Sequence, residues 1–292
     1  MPGVRAGGAG IDGGTMKIAV GGIVHWRASV PAWLEHLARL DAGGHELIPV
    51  FVVDGRGGWD TVKEALYDVF PGAIISTVDG ATPENLYPAK RENNIVAYTH
   101  LAKLRNRLAE LALHYGADAL LSVDSDIMAP PELVDDLASV GVPWVAALVR
   151  NSPHYLHLGR EPSTELADMY WNVLYMAPPQ PGKPLYQHFK PIGADGIGGV
   201  WPVGPICWRP YDKKGDRRLI TGAVALYSRE LLERVQWDGP IPTPYDPAGN
   251  QCLGEDISFG YRALKAGYYA WYVPLICEHR MGERGNTCPN FV

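Results

Sequence analysis

The sequence predicts an α/β fold: a mostly parallel sheet flanked by helices, with an irregular region in its second half. Three observations predict it. Short β-branched runs alternate with stretches of helical periodicity from Lys17 to Asp126; the early runs end in loops bearing Asp and Gly; and after about residue 150 proline, glycine and aromatics replace the alternation. Strands separated by helices pack as right-handed βαβ units, which places the C-terminal ends of parallel strands along one ligand-binding edge.

Residues 1–15, "MPGVRAGGAGIDGGT", are rich in Gly and lack the apolar stretch of a secretory signal, so they read as a disordered leader before Met16. "KIAVGGIVHW" is the first strand, and "VPAWLEHLARLD" follows with Val30, Trp33, Leu34, Leu37 and Leu40 at helical spacing. "LIPVFVVDG" is a second strand ending in Asp54 and Gly55, "WDTVKEALYDVF" a second helix, and "AIISTVDG" a third strand. After a polar loop, "YTHLAKLRNRLAELALHYGADALLSVDSD" carries the strongest helical pattern. Leu101, Leu104, Leu108, Leu111 and Ala112 form one face, and Gly116 ends the helix. "ALLSV" is a fourth parallel strand that delivers Asp124 and Asp126 to the ligand edge, and "PPELVDDLAS" opens another helix with proline in its first turn.

Residues 16–150 thus make one α/β half. From Asn151 to Arg218, "APPQPGKP", "GADGIGGVWPVG" and "PVGPICWRP" read as loops and irregular strands that shape a pocket, or as an interdomain linker. The glycines are not a phosphate loop, because no GK[ST] follows. Regular signals return in "LITGAVALYSRELLERV", in the helix "GEDISFGYRALKAGY" and in the strand "YAWYVPLI", so residues 151–292 read as completing the same domain.

With 292 residues, 47% hydrophobic and 20% charged, the chain suits a globular protein of one large or two small domains. A net charge of -6 with no basic block argues against general nucleic-acid binding. No run reaches the roughly 18 to 20 apolar residues of a membrane-spanning helix, and the chain is read as soluble and cytoplasmic. Cys207, Cys252, Cys277 and Cys288 form no CxxC pair. They read as reduced thiols packed as small hydrophobes, or, for Cys277 and Cys288 with His279, as part of a zinc site.

Two carboxylates at i and i+2 at the end of a buried strand are costly unless something compensates them. An Asp-x-Asp turn presents oxygens to a divalent cation while Ser125 between them points elsewhere. Mg²⁺ and Mn²⁺ take few protein oxygens and complete their shells with water and substrate phosphates. Either aspartate could instead cap the following helix. Arg105 or Lys103 would add charge-assisted bonds to phosphate oxygens, Arg105 being otherwise a solvated helix residue. Glu255 and Asp256 stand at a helix start, where one serves as N-cap or as a general base toward an acceptor hydroxyl.

Four blocks carry a resemblance to the GT-A glycosyltransferases, which use nucleotide sugars: "VVDG", "LRNRLAELAL", "VDSD" and "GEDISFGYRALKAGYYAWYVPLICEH". The last is similar to the ED-x-x-[FL]-x-x-R-x-x-x-x-G-[YF] block of family 2, closed by a late histidine. The helix before "VDSDI" looks like that of mannan-polymerase-type mannosyltransferases. The resemblance spans Lys17 to about Gly282. It implies a GT-A (Rossmann-like) domain whose residues 16–150 bind the nucleotide sugar and whose residues 151–292 form the acceptor side. The implied activity moves a hexose from a UDP- or GDP-sugar to a hydroxyl on a glycan, lipid-linked or small-molecule acceptor.

Residue by residue, the resemblance implies that Asp54 contacts the nucleobase, with a simple turn residue as the alternative. Lys103, Arg105, Asp124 and Ser125 complete the nucleotide-side set. Asp126 and His279, with Asp124, hold the metal, and imidazole favours Mn²⁺ over Mg²⁺. His279 is otherwise a plain buried or surface histidine. Asp256, or else Glu255, is the base; an inverting transfer needs one and a retaining transfer does not. "TGAVALYSRELL" resembles the acceptor-side segment, Thr221 and Gly222 allowing close approach, and at most one of Trp201, Trp208 and Trp237 stacks on a sugar. Two other readings stand beside this one. A sugar nucleotidyltransferase would place a G-x-G-T-R-like loop after the first strand, where "GGIVHWRASVPAW" has only Gly21, Gly22 and Arg27. A binding module without catalysis would have lost some of Asp124, Asp126, Glu255, Asp256 and His279, and all five are present.

Overall fold

The computed structural model describes residues 14–24, 30–55, 60–79, 94–151, 170–176, 186–189, 204–206, 218–220, 222–239, 241–242 and 252–279. The first half runs β1 (Lys17–Val24), α1 (Val30–Leu37), β2 (Glu46–Asp54), α2 (Asp60–Val69), β3 (Ile74–Val78), α3 (Asn94–His114), β4 (Ala119–Val123), β5 (Ile127–Met128) and α4 (Leu133–Ala138). The second half runs β6 (Trp144–Asn151), β7 (Tyr170–Met176), β8 (Tyr186–Phe189), β9 (Gly204–Ile206), β10 (Arg218–Ile220), β11 (Val224–Ser228), α5 (Arg229–Arg234), β12 (Ile241–Pro242), β13 (Cys252–Leu253), α6 (Glu255–Lys265) and β14 (Ala270–His279).

Strands β4, β1, β2 and β3 lie side by side and parallel, with Ile18 opposite Ala119, Val24 opposite Val53 and Asp54 opposite Val78. Next to β4, β11 runs antiparallel and pairs on its other side with β6, also antiparallel. Strand β6 therefore points the same way as β4, and β14 lies parallel to β6. Strands β1 to β4, β6 and β14 of this sheet thus share one direction, while β11 between β4 and β6, and β7 beyond β6, run against it.

Side chains alternate across the sheet, and each face is apolar. Ile18, Val20, Phe51, Val53, Leu121 and Val123 pack on one side with residues of α1, α2 and α4. Ala19, Ile23, Val50, Val52 and Leu120 pack on the other with residues of α3, α5 and α6. Burial on both faces is why these strands read as continuous apolar runs. No helix among the described residues is long and apolar enough to cross a membrane.

Several elements differ from expectation. The strand in "VPWVAALVR" (β6) was not expected, although Gly141, with φ +67, and Pro143 mark a turn just before it. "LITGAVALYS" divides into β10 and β11, which pair with different partners. Helix α3 begins at Asn94, a turn before the expected Tyr98. Pro130 and Pro131 do not lie in the first turn of α4 but in the turn before it, Leu133 N–H donating to the Pro130 carbonyl at 3.2 Å. Gly116 does end α3, with φ +77, and Ala117 N–H closes the turn on the Ala112 carbonyl at 3.0 Å.

Gly21 and Gly22 are required by close packing. A Cβ on Gly21 would lie 1.8 Å from the Val50 carbonyl oxygen, and one on Gly22 2.1 Å from that of Val123. Both obstacles are backbone of neighbouring strands, so the strands themselves would have to spread. Gly21→Ala is expected to lower stability by about 3 kcal/mol, the scale of core overpacking, read from the thermal or denaturant midpoint. An unchanged midpoint would show that β1 accommodates the methyl.

Candidate active site

The parallel strands end in acidic residues. Asp54 closes β2 and Asp124 follows β4. Asp124 N–H donates to the Ala223 carbonyl of the segment entering β11, and Ile127 N–H donates back to the Asp124 carbonyl, both at 2.9 Å. That turn carries Ser125 and Asp126. The chain then enters β5, which pairs antiparallel with the end of β14, Ile127 opposite His279 and Met128 opposite Glu278. The register sets His279 beside Asp126, 153 residues away in sequence, with Nε2 and Oδ2 at 3.1 Å. The side chains are 12% and 27% exposed, so both reach the surface of the edge. Burial lowers the His279 pKa, but the Asp126 charge and hydrogen bond, with Asp124 beyond, raise it overall.

Asp124 turns the other way. Arg105, on α3, donates Nη1–H to Asp124 Oδ1 at 3.1 Å and Nη2–H to Oδ2 at 3.2 Å, while its Nε–H goes to Glu255 Oε1 at 3.0 Å. Such fork-shaped, charge-assisted pairing is among the stronger polar contacts a protein makes. Although burial opposes its charge, the guanidinium is held firmly protonated by Asp124 and Glu255. Glu255 is raised from an ordinary 4.5 to about 7 by burial and by neighbouring Asp256, against the pull of Arg105. One cation is thus shared among several carboxylates, and Glu255 has the weaker share of it.

Asp256 is partly buried. Its Oδ2 accepts the Gly222 N–H at 3.2 Å and its Oδ1 the Ile257 N–H at 2.8 Å. Neither Glu255 nor Asp256 is the N-cap of α6, as was expected of one of them. Gly254 holds that position and the two acids fill the first turn, where the helix dipole favours them. Beneath them Tyr227 is buried, its hydroxyl raised far above its ordinary pKa chiefly by burial. A Cβ on Gly222 would lie 3.4 Å from that hydroxyl and 3.5 Å from Arg105 Cζ.

Other expected residues are placed differently. Asp54 has no exposed surface and is bonded to His100 Nε2 at 3.2 Å, so contact with a base requires what covers it to move. Ser125 is fully buried and its Oγ has no hydrogen-bond partner among the described residues. Lys103 is exposed, about 200° around α3 from Arg105, and does not join the cluster. Arg105 is not the solvated helix residue of the alternative reading. Trp237 stacks on Phe259, centroids 4.0 Å apart, within the core, and is no sugar platform. Cys277 is a buried thiol in the other core layer, its pKa pushed up by burial. Thr221, Trp201, Trp208, Cys207 and Cys288 lie outside the described residues. Among those described, no three His, Cys, Asp or Glu side chains form a cluster suited to a metal.

His100, Asn106 and Tyr227 were not singled out from sequence. His100 falls one helical turn before Leu104 on the apolar face of α3, and a histidine in that stripe was the available signal. Asn106 holds the backbone of Trp237 from both sides, Nδ2–H to its carbonyl at 2.7 Å and Oδ1 from its N–H at 2.8 Å.

Neither a protein-family model nor a curated protein sequence matches the chain. Solved structures do. The structure of GalNAc-T7 with UDP, GalNAc and Mn²⁺ matches with a TM-score of 0.52 and 13% identity over 92% of this chain and 44% of that one. The mannosyltransferase PcManGT from Pyrobaculum calidifontis, in complex with GDP-Man and Mn²⁺, gives 0.47 and 17% over 94% and 59%. S. aureus TarS 1-349 with UDP-GlcNAc gives 0.44 and 13% over 92% and 60%. The chain spans 44% to 60% of these structures' lengths. The likeness to GalNAc-T7 shows a shared GT-A-like fold, in line with the expected architecture.

Glu255 also sets a pH dependence. An acid whose pKa is raised on folding contributes stability below its unfolded value and loses it as pH rises through the folded value, here between 4.5 and about 7. Glu255→Gln is expected to flatten the decline of melting temperature across that window. An identical slope in the variant would assign the decline to other groups.

Proposed function

We propose that the chain is a metal-dependent glycosyltransferase that moves a hexose from a UDP- or GDP-sugar to a hydroxyl acceptor. The observation that carries the reading is the Asp126–His279 pair at the strand edge, set there by the β5–β14 pairing. The fold shared with GalNAc-T7, a structure holding UDP, GalNAc and Mn²⁺, supports the same reading. On this reading residues 16–150 supply the nucleotide side and the later half the acceptor side.

The donor set fits a divalent ion. One carboxylate oxygen and one imidazole nitrogen stand together and partly exposed, the mixed set that suits Mn²⁺. Two protein ligands suffice for an ion that completes its shell with water and diphosphate oxygens. Asp124 has both oxygens on Arg105, which makes Asp126 the ligand of the acidic pair. When bound, the ion stabilises as a Lewis acid the charge that develops on the departing diphosphate.

On this reading Asp256 takes the acceptor proton. It is partly exposed, and the Gly222 N–H holds its carboxylate toward the segment expected on the acceptor side. Glu255 is buried against Arg105 and anchors the same helical turn. An inverting transfer needs a base in this role, and a retaining transfer does not.

Titration calorimetry with UDP, GDP and their sugars, with and without Mn²⁺, tests the reading. Binding should require the metal and should disappear with it in Asp126→Ala and His279→Ala, while both variants keep their melting transitions. Metal-indifferent binding would overturn the assignment. Asp256→Asn should cut turnover by about 10² to 10⁴, the scale of general-base catalysis, with donor affinity little changed. Equal loss of both would make Asp256 a structural residue.

A further inference from the structure

Arg105 reaches from α3 into the acidic cluster, and its hydrogen bonds say what it does there. Both ends of its terminal fork meet Asp124, and its Nε–H meets Glu255. Asp124 belongs to the turn that carries Asp126; Glu255 belongs to the turn that carries Asp256. The two turns lie 131 residues apart in sequence by the positions of Asp124 and Glu255 (255 − 124) and are joined through this guanidinium. A diphosphate approaching the end of the fork would compete with the Asp124 carboxylate, which is itself anchored through its backbone to Ala223.

We propose that Arg105 is a positioning residue that fixes the metal-side turn against the first turn of α6, and that it does not bind the diphosphate. The inference rests on the glycosyl-transfer reading for what is positioned, and it departs from the nucleotide-side role that the resemblance implies for this arginine. The neighbouring side chains of α3 act alike. Asn106 holds the Trp237 backbone and Arg107 donates Nε–H to Ser76 Oγ of β3 at 3.0 Å. Three successive residues therefore tie four separate segments to one helix. Lysine cannot replace the arginine, because an ammonium offers no planar fork for Asp124 with a further N–H for Glu255.

The test uses the full chain as wild type, Arg105→Lys and the double variant Arg105→Met/Glu255→Gln. The double variant removes the buried carboxylate that loss of the arginine would leave unpaired, and so guards against a single variant that does not fold. Two quantities are read: the Kd of UDP and of GDP with Mn²⁺ by calorimetry, and the release of UDP from UDP-glucose and of GDP from GDP-mannose. Positioning predicts a Kd within about threefold of wild type and a turnover at least about 100-fold lower, the cost of roughly an ångström of misplacement. A Kd weakened about tenfold or more, with turnover falling in step, would make Arg105 a diphosphate ligand and overturn the inference alone. Wild-type turnover in both variants would also overturn it. Wild-type protein that binds neither nucleotide with Mn²⁺ would overturn the glycosyl-transfer reading, and this inference with it.

Discussion

The pairing of Ile127–Met128 with the last two residues of β14 is the constraint on which the site depends. It is only a two-residue ladder, yet it decides where the chain's final described strand ends. Side-chain direction alternates along a strand, so a slip of one residue would turn His279 to the opposite face and separate it from Asp126. The parallel alignment of β14 with β6, which puts His279 opposite Asn151, secures the same register from the other side. The meeting of Asp126 with His279, so far apart in sequence, thus rests on backbone hydrogen bonds.

The second constraint is charge. Asp124, Asp126, Glu255 and Asp256 all approach the strand edge, and four carboxylates cannot gather in a partly buried space without compensation. The structure divides the task. Arg105 takes Asp124 and Glu255, the histidine takes Asp126, and backbone N–H groups take Asp256. The raised pKa of Glu255 records where compensation is weakest. A divalent cation beside Asp126 and a leaving diphosphate would fit the remainder, the cation offsetting negative charge that the protein has gathered in excess.

Much of the fold was legible because its strands are buried on both faces and separated by amphipathic helices, from β1 through β4. The antiparallel β11 was not, since a buried strand reads the same in either direction and its orientation follows from the connections on each side. Strand β6 was missed although Gly141 and Pro143 precede it, because "WVAALV" is a short apolar run with no alternation to mark it as a strand. Within the site, the meeting of Asp126 with His279 was implied by the family resemblance, and the placement of Asp256 on a helix start was legible from the residues. The part played by Arg105 was legible only in hindsight. It shares a face of α3 with Leu101, Leu108 and Ala112, and an arginine in an apolar stripe has to be paired. The complete burial of Ser125 and of Asp54 depends on tertiary packing that no local pattern encodes.

The central claim is that Asp126 and His279 hold the metal of a sugar-nucleotide site. Diffraction from crystals grown with Mn²⁺ and UDP or GDP, recorded at the manganese edge, tests it most directly. An anomalous peak bonded to both Asp126 Oδ2 and His279 Nε2, with diphosphate oxygens in its shell, is the predicted result. A manganese peak elsewhere in the domain, or nucleotide bound at this edge without metal between these two side chains, would contradict it.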